Sequence, residues 1–413
     1  VSELAALSFG FPILMIVTSV AIGLGAGTSS VVARAIGKHD HRRARRLATD
    51  SLLLSFLITG AFCICGILTI GPLFRMLGAP EDMIPLIAGY MTILYIGVPF
   101  VVVGMVGMSS MRATGDTRLP SRLMVIAAVL NMVLDPILIF GIGPIPAMGL
   151  NGAAMAALLA RAAIFAGTIY FMRYRMDMLS FNKPHAKELR DSWVDILHVG
   201  IPAAATNAII PIATAVITAM LAGYGPEAVA GFGVASRIEG VMLVLFYAMS
   251  AIIGPFVGQN VSAGNADRIN EALRLCLLFC LGSGLVIAIL LAAMSGFLPG
   301  LFTDNSHVTD VAQLFLWIAP ISYGAYGVVM VMNASFNGIG SPLPAVAISV
   351  GRMGVIYVPV ALLLNQFWGV AGIFAAYAIA NLVTGAISYV WARSAVQGQC
   401  ERHQGPGVST GTA

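Results

Sequence analysis

Charge is what this chain of 413 residues has least of. Asp, Glu, Lys and Arg together make up 10% of it, against about 25% in a soluble domain. That shortage excludes a water-soluble globule with a solvated, charged surface. Cysteine is scarce as well. The five cysteines (Cys63, Cys65, Cys276, Cys280 and Cys400) have no His or carboxylate cluster beside them, so no disulfide framework or metal centre is read from them. The six histidines are scattered. No Gly-rich loop ending in Gly-Lys-Ser or Gly-Lys-Thr occurs, which argues against ATP as an energy source. No enzyme signature, no cofactor and no nucleic-acid partner is expected.

Apolar residues are what is there. They make up 59% of the chain, mean hydropathy is +0.92 and Gly occurs 45 times. A bilayer core needs about 20 apolar residues per spanning helix, and small residues let such helices pack closely. The sequence divides into eleven apolar segments: 7–33, 47–70, 84–110, 120–141 and 149–172, then 196–222, 228–258, 271–294, 308–336, 343–364 and 369–392. An all-α membrane protein follows, with an N-terminal bundle over 1–172 and a C-terminal bundle over 196–393. The polar stretch 173–195 is read as a cytoplasmic linker, and the Gly-rich residues 394–413 as a disordered tail.

Basic residues orient these segments. Eighteen of the 22 Lys and Arg fall on one side when successive helices alternate in direction, including Arg42, Arg43, Arg45, Arg46, Arg118 and Arg122. Only Arg75 lies in a loop on the other side, and Arg161, Arg237 and Arg352 fall inside spans. The positive-inside rule then places the basic loops, the linker and the C-terminus in the cytoplasm of a multi-pass inner-membrane protein.

The chain also repeats itself at an offset of about 225 residues. Val32-Ala-Arg-Ala-Ile-Gly37 matches Val257-Gly-Gln-Asn-Val-Ser262, and Gly115-Asp-Thr-Arg-Leu-Pro120 matches Gly340-Ser-Pro-Leu-Pro344. Gly149-x-x-Gly152 matches Gly369-x-x-Gly372 at an offset of 220, and Phe9-Gly10 matches Phe232-Gly233. The segment 196–222 has no partner in the first half, so the simplest reading is two pseudo-symmetric six-helix bundles with the first helix missing. Both bundles run in the same direction, the arrangement of parallel-repeat transporters, in which rocking exposes a cleft to each side in turn.

Two acidic residues lie well inside spans, Asp135 and Glu239. An ionisable group there is costly unless partnered and is a functional candidate by default. Asn131 precedes Asp135 by four residues, on one helical face, and Pro136 frees the carbonyl of Met132. Carboxylate, amide oxygen and free carbonyl suit a proton or a hard cation such as sodium; a structural hydrogen bond at a helix end is the alternative. At the 225 offset these positions become Ile356 and Val360, so the fold does not require the polar pair. Glu239 is read either as an attractor of cations and protons or as an ion-pair staple between helices. Arg161 and Arg352 are read as structural or snorkelling residues. Asn207, four residues before Pro211, marks a bent polar spot, and Pro136, Pro202, Pro211 and Pro255 are candidate hinges. Tyr247, Tyr323, Tyr326 and Met330 are candidate substrate contacts, since aromatic rings and methionine suit apolar cations.

Several of these segments resemble the multidrug and toxic compound extrusion (MATE) family of cation-coupled antiporters. They are Val32-Ala-Arg-Ala-Ile-Gly37, Met111-Arg-Ala-Thr-Gly-Asp-Thr-Arg-Leu-Pro120, Asn131-Met-Val-Leu-Asp-Pro136, Phe232-Gly-Val-Ala-Ser-Arg-Ile-Glu239 and Pro255-Phe-Val-Gly-Gln-Asn260. The resemblance runs from about Glu3 to Arg393. It implies a monomeric carrier in the lipid bilayer that exports organic cations in exchange for H+ or Na+. Acidic residues that the NorM-like branch carries in its seventh and tenth helices fall at Ile210 and Tyr326 here, so the chain is more similar to the DinF-like branch. A Thr used in the family's sodium sites falls at Ala157. Two alternatives stand beside this reading: a flippase for lipid-linked oligosaccharides, which requires converging basic residues for phosphate, and a non-transporting membrane scaffold.

Overall fold

The computed structural model describes residues 2–76, 84–141, 146–182 and 185–404. These residues form helices and short connections: α1 (Ser2–Gly37), α2 (His41–Met76), α3 (Ile84–Ala113), α4 (Arg118–Phe140), α5 (Gly149–Tyr174), α6 (Ala186–Ala222), α7 (Pro226–Ser262), α8 (Ala266–Met294), α9 (Ser306–Ile318), α10 (Tyr323–Gly338), α11 (Leu343–Val350), α12 (Val358–Trp368) and α13 (Val370–Gln404). A 3-10 turn, Ala319–Ser322, joins α9 to α10, and a π-helical segment, Gly351–Tyr357, joins α11 to α12. Each of those two pairs makes one span, which gives eleven helical spans long and apolar enough to cross a membrane.

The chain divides into two compact units, Val1–Ala204 and Ala205–Ala413, with the division inside α6 beside Pro202. The first unit has its core around Val32, Leu47, Val102, Val106, Met111 and Ile196. The second is centred on Phe232, Phe246, Phe315, Tyr323, Phe336 and Phe374.

The helices are longer than the apolar runs because polar ends are helical too. Asp40 caps α2 by accepting from the Arg43 amide at 2.9 Å, and the basic residues expected in a loop become the first turns of α2. Their charges are met by side chains far along the chain. Arg45 pairs with Asp177 at 2.7 Å, Arg43 with Asp195 at 3.5 Å, and Arg46 donates to the Asn182 carbonyl at 2.7 Å. Residues 173–195 are therefore not only a connection. α5 runs to Tyr174, α6 starts at Ala186, and Trp193 is packed into the first unit with its indole N–H donating to the Asp50 carbonyl at 3.2 Å. The tail needs a correction as well: α13 continues to Gln404, with Val396 and Cys400 buried in the core, because apolar residues recur on its inner face. Residues 405–413 of the expected tail lie outside the described residues.

The internal repeat is visible in the backbone. His39 has a positive φ of 59°, and its counterpart at the 225 offset is Gly264, with φ 74°. The amide of Asp40 bonds to the Ala35 carbonyl at 3.0 Å, and that of Asn265 to the Asn260 carbonyl at 2.9 Å, so the same helix C-terminus is built twice. The Gly-x-x-Gly pairs behave alike. Gly149 and Gly369 take left-handed φ values of 53° and 56°. Gly152 and Gly372 sit so close to the carbonyls of Leu138 and Leu364 that no side chain fits.

This geometry predicts that Gly372→Ala, which forces Cβ against a backbone carbonyl, costs about 1–3 kcal/mol, seen as a lower melting temperature of the purified protein. Gly282→Ala on α8, where a Cβ meets open space, should leave the melting temperature nearly unchanged. Equal effects would contradict the packing described.

Candidate functional site

A polar network crosses the apolar core of the second unit. It is built where α7, α10, α13 and the π-helical segment meet. Arg352, in the π-helical segment, is only 5% exposed. One guanidinium nitrogen, Nη1, donates to Asn381 Oδ1 on α13 at 2.9 Å, and Asn381 Nδ2 donates to the Ser322 hydroxyl at 3.0 Å. The guanidinium lies 4.5 Å from the centroid of the Tyr326 ring, a cation–π contact inside an apolar unit. Its Nε has no hydrogen-bond partner among the described residues.

Glu239, on α7, faces the same region. The Tyr377 hydroxyl donates to Glu239 Oε1 at 2.9 Å. The Tyr323 hydroxyl also faces this carboxylate without completing a hydrogen bond, and the Arg352 charge is within electrostatic reach. Around these groups the rings of Phe232, Phe315, Phe374, Tyr377 and Tyr357 pack edge to face, tilted or, for Phe232 on Phe374, stacked, with Phe315 and Phe374 centroids 5.0 Å apart and Tyr357 and Tyr377 centroids 6.5 Å apart. The aromatic layer helps to shield the buried guanidinium from water, which strengthens its electrostatic contacts.

Each predicted residue now has a place. Glu239, Tyr323 and Tyr326 are brought together. Tyr323 and Tyr326 are buried inside their own unit, positioned to act on Glu239 and Arg352. Tyr247 is 40% exposed on α7 and lies within electrostatic reach of the same cluster. Met330 packs at the edge of the core, and Asn207 is half-buried on α6. α6 runs unbroken through Pro202 and Pro211, α4 through Pro136 and α7 through the buried Pro255. In the first unit the i, i+4 reading of α4 holds: Asn131 Nδ2 donates to Asp135 Oδ1 at 3.4 Å. Both residues are partly exposed, and the amide turns its N–H rather than its oxygen toward the carboxylate. Among the described residues no group of three His, Cys, Asp or Glu could hold a metal ion.

Of the two readings of Arg352, structural or snorkelling, the structure favours the structural one. Arg352 does not snorkel, because its position in the π-helical segment turns it into the unit while Val355 beside it is exposed. Tyr377, Asn381 and Ser322 were missed. A signal for two of them existed: Tyr377, Asn381, Thr384 and Ser388 recur at helical spacing within an apolar run, and all four are buried. Asp50, fully buried and held by Arg46 through Nε at 3.1 Å and Nη2 at 2.6 Å, was overlooked because it lies near the start of its span. The three intramembrane arginines divide between the two units. Arg161 is on α5 of the first unit, Arg237 is exposed, and Arg352 is buried in the second.

Eleven apolar spans, a parallel two-fold repeat and a charged network inside one repeat define a multi-pass membrane transporter. The MatE family model matches residues 1–137 and 202–363, and the chain belongs to that family. Among curated proteins, the "FAD transporter" of Shewanella oneidensis is 37% identical over 390 residues, covering 94% of this chain and 86% of that protein. The "Probable multidrug resistance protein YoeA" of Bacillus subtilis is 26% identical over 408 residues, covering 96% and 88%. Among solved structures, the Vibrio cholerae MATE transporter VcmN in its bent form superimposes with a TM-score of 0.90 at 29% identity, covering 96% of this chain and 89% of that one.

The network predicts that Glu239→Gln and Arg352→Met are non-additive. Each single variant strands a partner, and the double variant should be more stable than the sum of the two by about 0.5–3 kcal/mol. Thermal melting of the four proteins measures this coupling; strict additivity would mean that the two charges do not interact.

Proposed function

We propose that this efflux transporter exports organic cations in exchange for protons, and that the two compete at Glu239. The observation that carries the reading is the Glu239–Tyr377 hydrogen bond beside the buried Arg352 charge. A carboxylate that is negative can attract a cation, and the same carboxylate loses that attraction once a proton neutralises it. Two ligands that bind one site exclusively are exchanged, which is the thermodynamic content of antiport. The surroundings favour a proton over sodium as the coupling ion. A hard cation needs several oxygen lone pairs, whereas Glu239 is met by a donating hydroxyl and a guanidinium. The Asn131–Asp135 pair is the competing coupling point. The basic loops support an inner-membrane orientation with the C-terminus in the cytoplasm, and the carrier is taken to act as a monomer.

A second reading follows from the relative named a FAD transporter, which is 37% identical. An anionic aromatic dinucleotide would find in this unit a buried guanidinium with a spare Nε–H and a layer of aromatic rings.

Vesicles containing the chain, loaded with ethidium and given a proton or a sodium gradient separately, test the first reading. Proton-driven efflux is expected, falling about tenfold or more in Glu239→Gln and largely kept in Asp135→Asn. Sodium-driven efflux that survives Glu239→Gln and dies with Asp135→Asn would move the coupling site to α4. The substrate readings separate by sign. If flavin adenine dinucleotide is the substrate, its binding to purified protein, followed by flavin fluorescence, tightens or holds in Glu239→Gln and is lost in Arg352→Gln.

A further inference from the structure

We infer that the turn between α3 and α4 and the end of α5 form a binding site for the phosphate of an anionic phospholipid. The site is a cavity of about 480 Å³ in the first unit, lined by the turn from Gly115 to Leu119, by Arg122 and by Arg175. Three guanidiniums, those of Arg118, Arg122 and Arg175, line this one cavity. Among the described residues none of the three side chains makes a hydrogen bond, ion pair or ring contact. Their neighbours differ: Arg43, Arg45 and Arg46 are ion-paired, Arg112 donates to Ser109 at 2.7 Å, and Arg173 lies over the Phe181 ring at 4.8 Å. The one carboxylate in the cavity is already engaged. Asp116 Oδ1 accepts from the amides of Arg118 at 2.9 Å and Leu119 at 3.2 Å, capping α4. The cavity therefore sets three arginines against one carboxylate and is net positive.

Its place in the fold selects a lipid over a soluble anion. Arg118 opens one apolar span, Arg118–Phe140, and Arg175 directly follows another, Asn151–Tyr174, so the cavity sits where two spans end together. From that end, α4 presents an exposed apolar stripe through Met124, Val125, Ile126 and Val129. Tyr170 and Tyr174, with ring centroids 5.1 Å apart, are exposed on α5 at the same end, in the manner of interfacial aromatic residues. A phosphodiester held by the guanidiniums can lay its acyl chains along that stripe. Basic pockets between helices at a membrane surface bind anionic headgroups in this way.

The test uses the full chain, purified in detergent and stripped of lipid. Phosphatidylglycerol, phosphatidylcholine with the same acyl chains, and inorganic phosphate are added separately, and bound lipid is counted by native mass spectrometry alongside the melting temperature. The parent should retain phosphatidylglycerol preferentially, with affinity falling about fivefold for each arginine changed to glutamine among Arg118, Arg122 and Arg175. The triple Lys variant, which keeps the charge, should retain most of the binding and shows that any loss in the Gln variants is not misfolding. Equal retention of phosphatidylcholine, or unchanged phosphatidylglycerol binding in a folded triple Gln variant, overturns the inference. A response to inorganic phosphate with none to phosphatidylglycerol overturns it too, in favour of a soluble anion.

Discussion

In hydrocarbon there is no water to satisfy a stranded charge or hydrogen-bonding group, so each one must be met by the protein itself. The second unit is organised around that constraint. Arg352 is carried into the core and met there by an amide oxygen, an aromatic face and the field of Glu239. None of these partners is optional, because a guanidinium without them would cost several kcal/mol. The constraint reaches back to the backbone. A regular α-helix through residues 351–357 would rotate Arg352 relative to its neighbours, and the π-helical register sets it inward instead. Such segments occur mostly at functional sites because their poorer geometry has to be compensated elsewhere. Gly351 and Gly354, with open space where a Cβ would be, leave the segment room to change register.

The first unit meets the same constraint at its edge. Arg46 is paired with Asp50 at the start of α2 and also donates to the Asn182 carbonyl, while Arg45 and Arg43 are matched by Asp177 and Asp195. Surface pairs of this kind contribute little each. Their effect here is positional: they draw the connection after α5 and the first turns of α6 onto the end of α2.

The spans were legible because apolar runs of about 20 residues have one physical meaning. The repeat was legible because glycine is demanded twice by the same backbone: Gly149 and Gly369 by a left-handed φ, Gly152 and Gly372 by contact with a carbonyl. Helix ends were misjudged because a polar first turn such as that of α2 has no hydropathy signal; only the Asp40 cap marks it. Of the site, Glu239 could be found as a charge in an apolar run, and Tyr323 and Tyr326 as rings beside it. For Arg352 the sequence left structural and snorkelling roles both open, because inward pointing depends on helical register, which a π-helical segment alters without a clear trace in sequence. The Tyr377–Glu239 bond joins residues 138 apart, a pairing that periodicity within either helix does not reveal.

The repeat also separates what the fold requires from what the chemistry requires. At the 225 offset Arg352 corresponds to Ala127, and Glu239 to Leu14, or to Ile16 at the shift that aligns Phe9-Gly10 with Phe232-Gly233. Asn381 corresponds to Arg161, and Tyr377 to Ala157, at the offset of 220. Turn geometries and glycine contacts are kept between the halves while these side chains are not. The first unit is therefore built without a Glu–Tyr–Arg chain, and stability alone does not account for one in the second. A buried pair of charges is often no more stable than an apolar replacement, so its presence in one half fits a group that must change charge state during work. The Asn131–Asp135 pair passes the same symmetry test but has fewer partners. A proton arriving at Asp135 alters one hydrogen bond on a peripheral helix. At Glu239 it alters the balance of charge at a junction of α7, α10, α13 and the π-helical segment, where a change has elements to act upon.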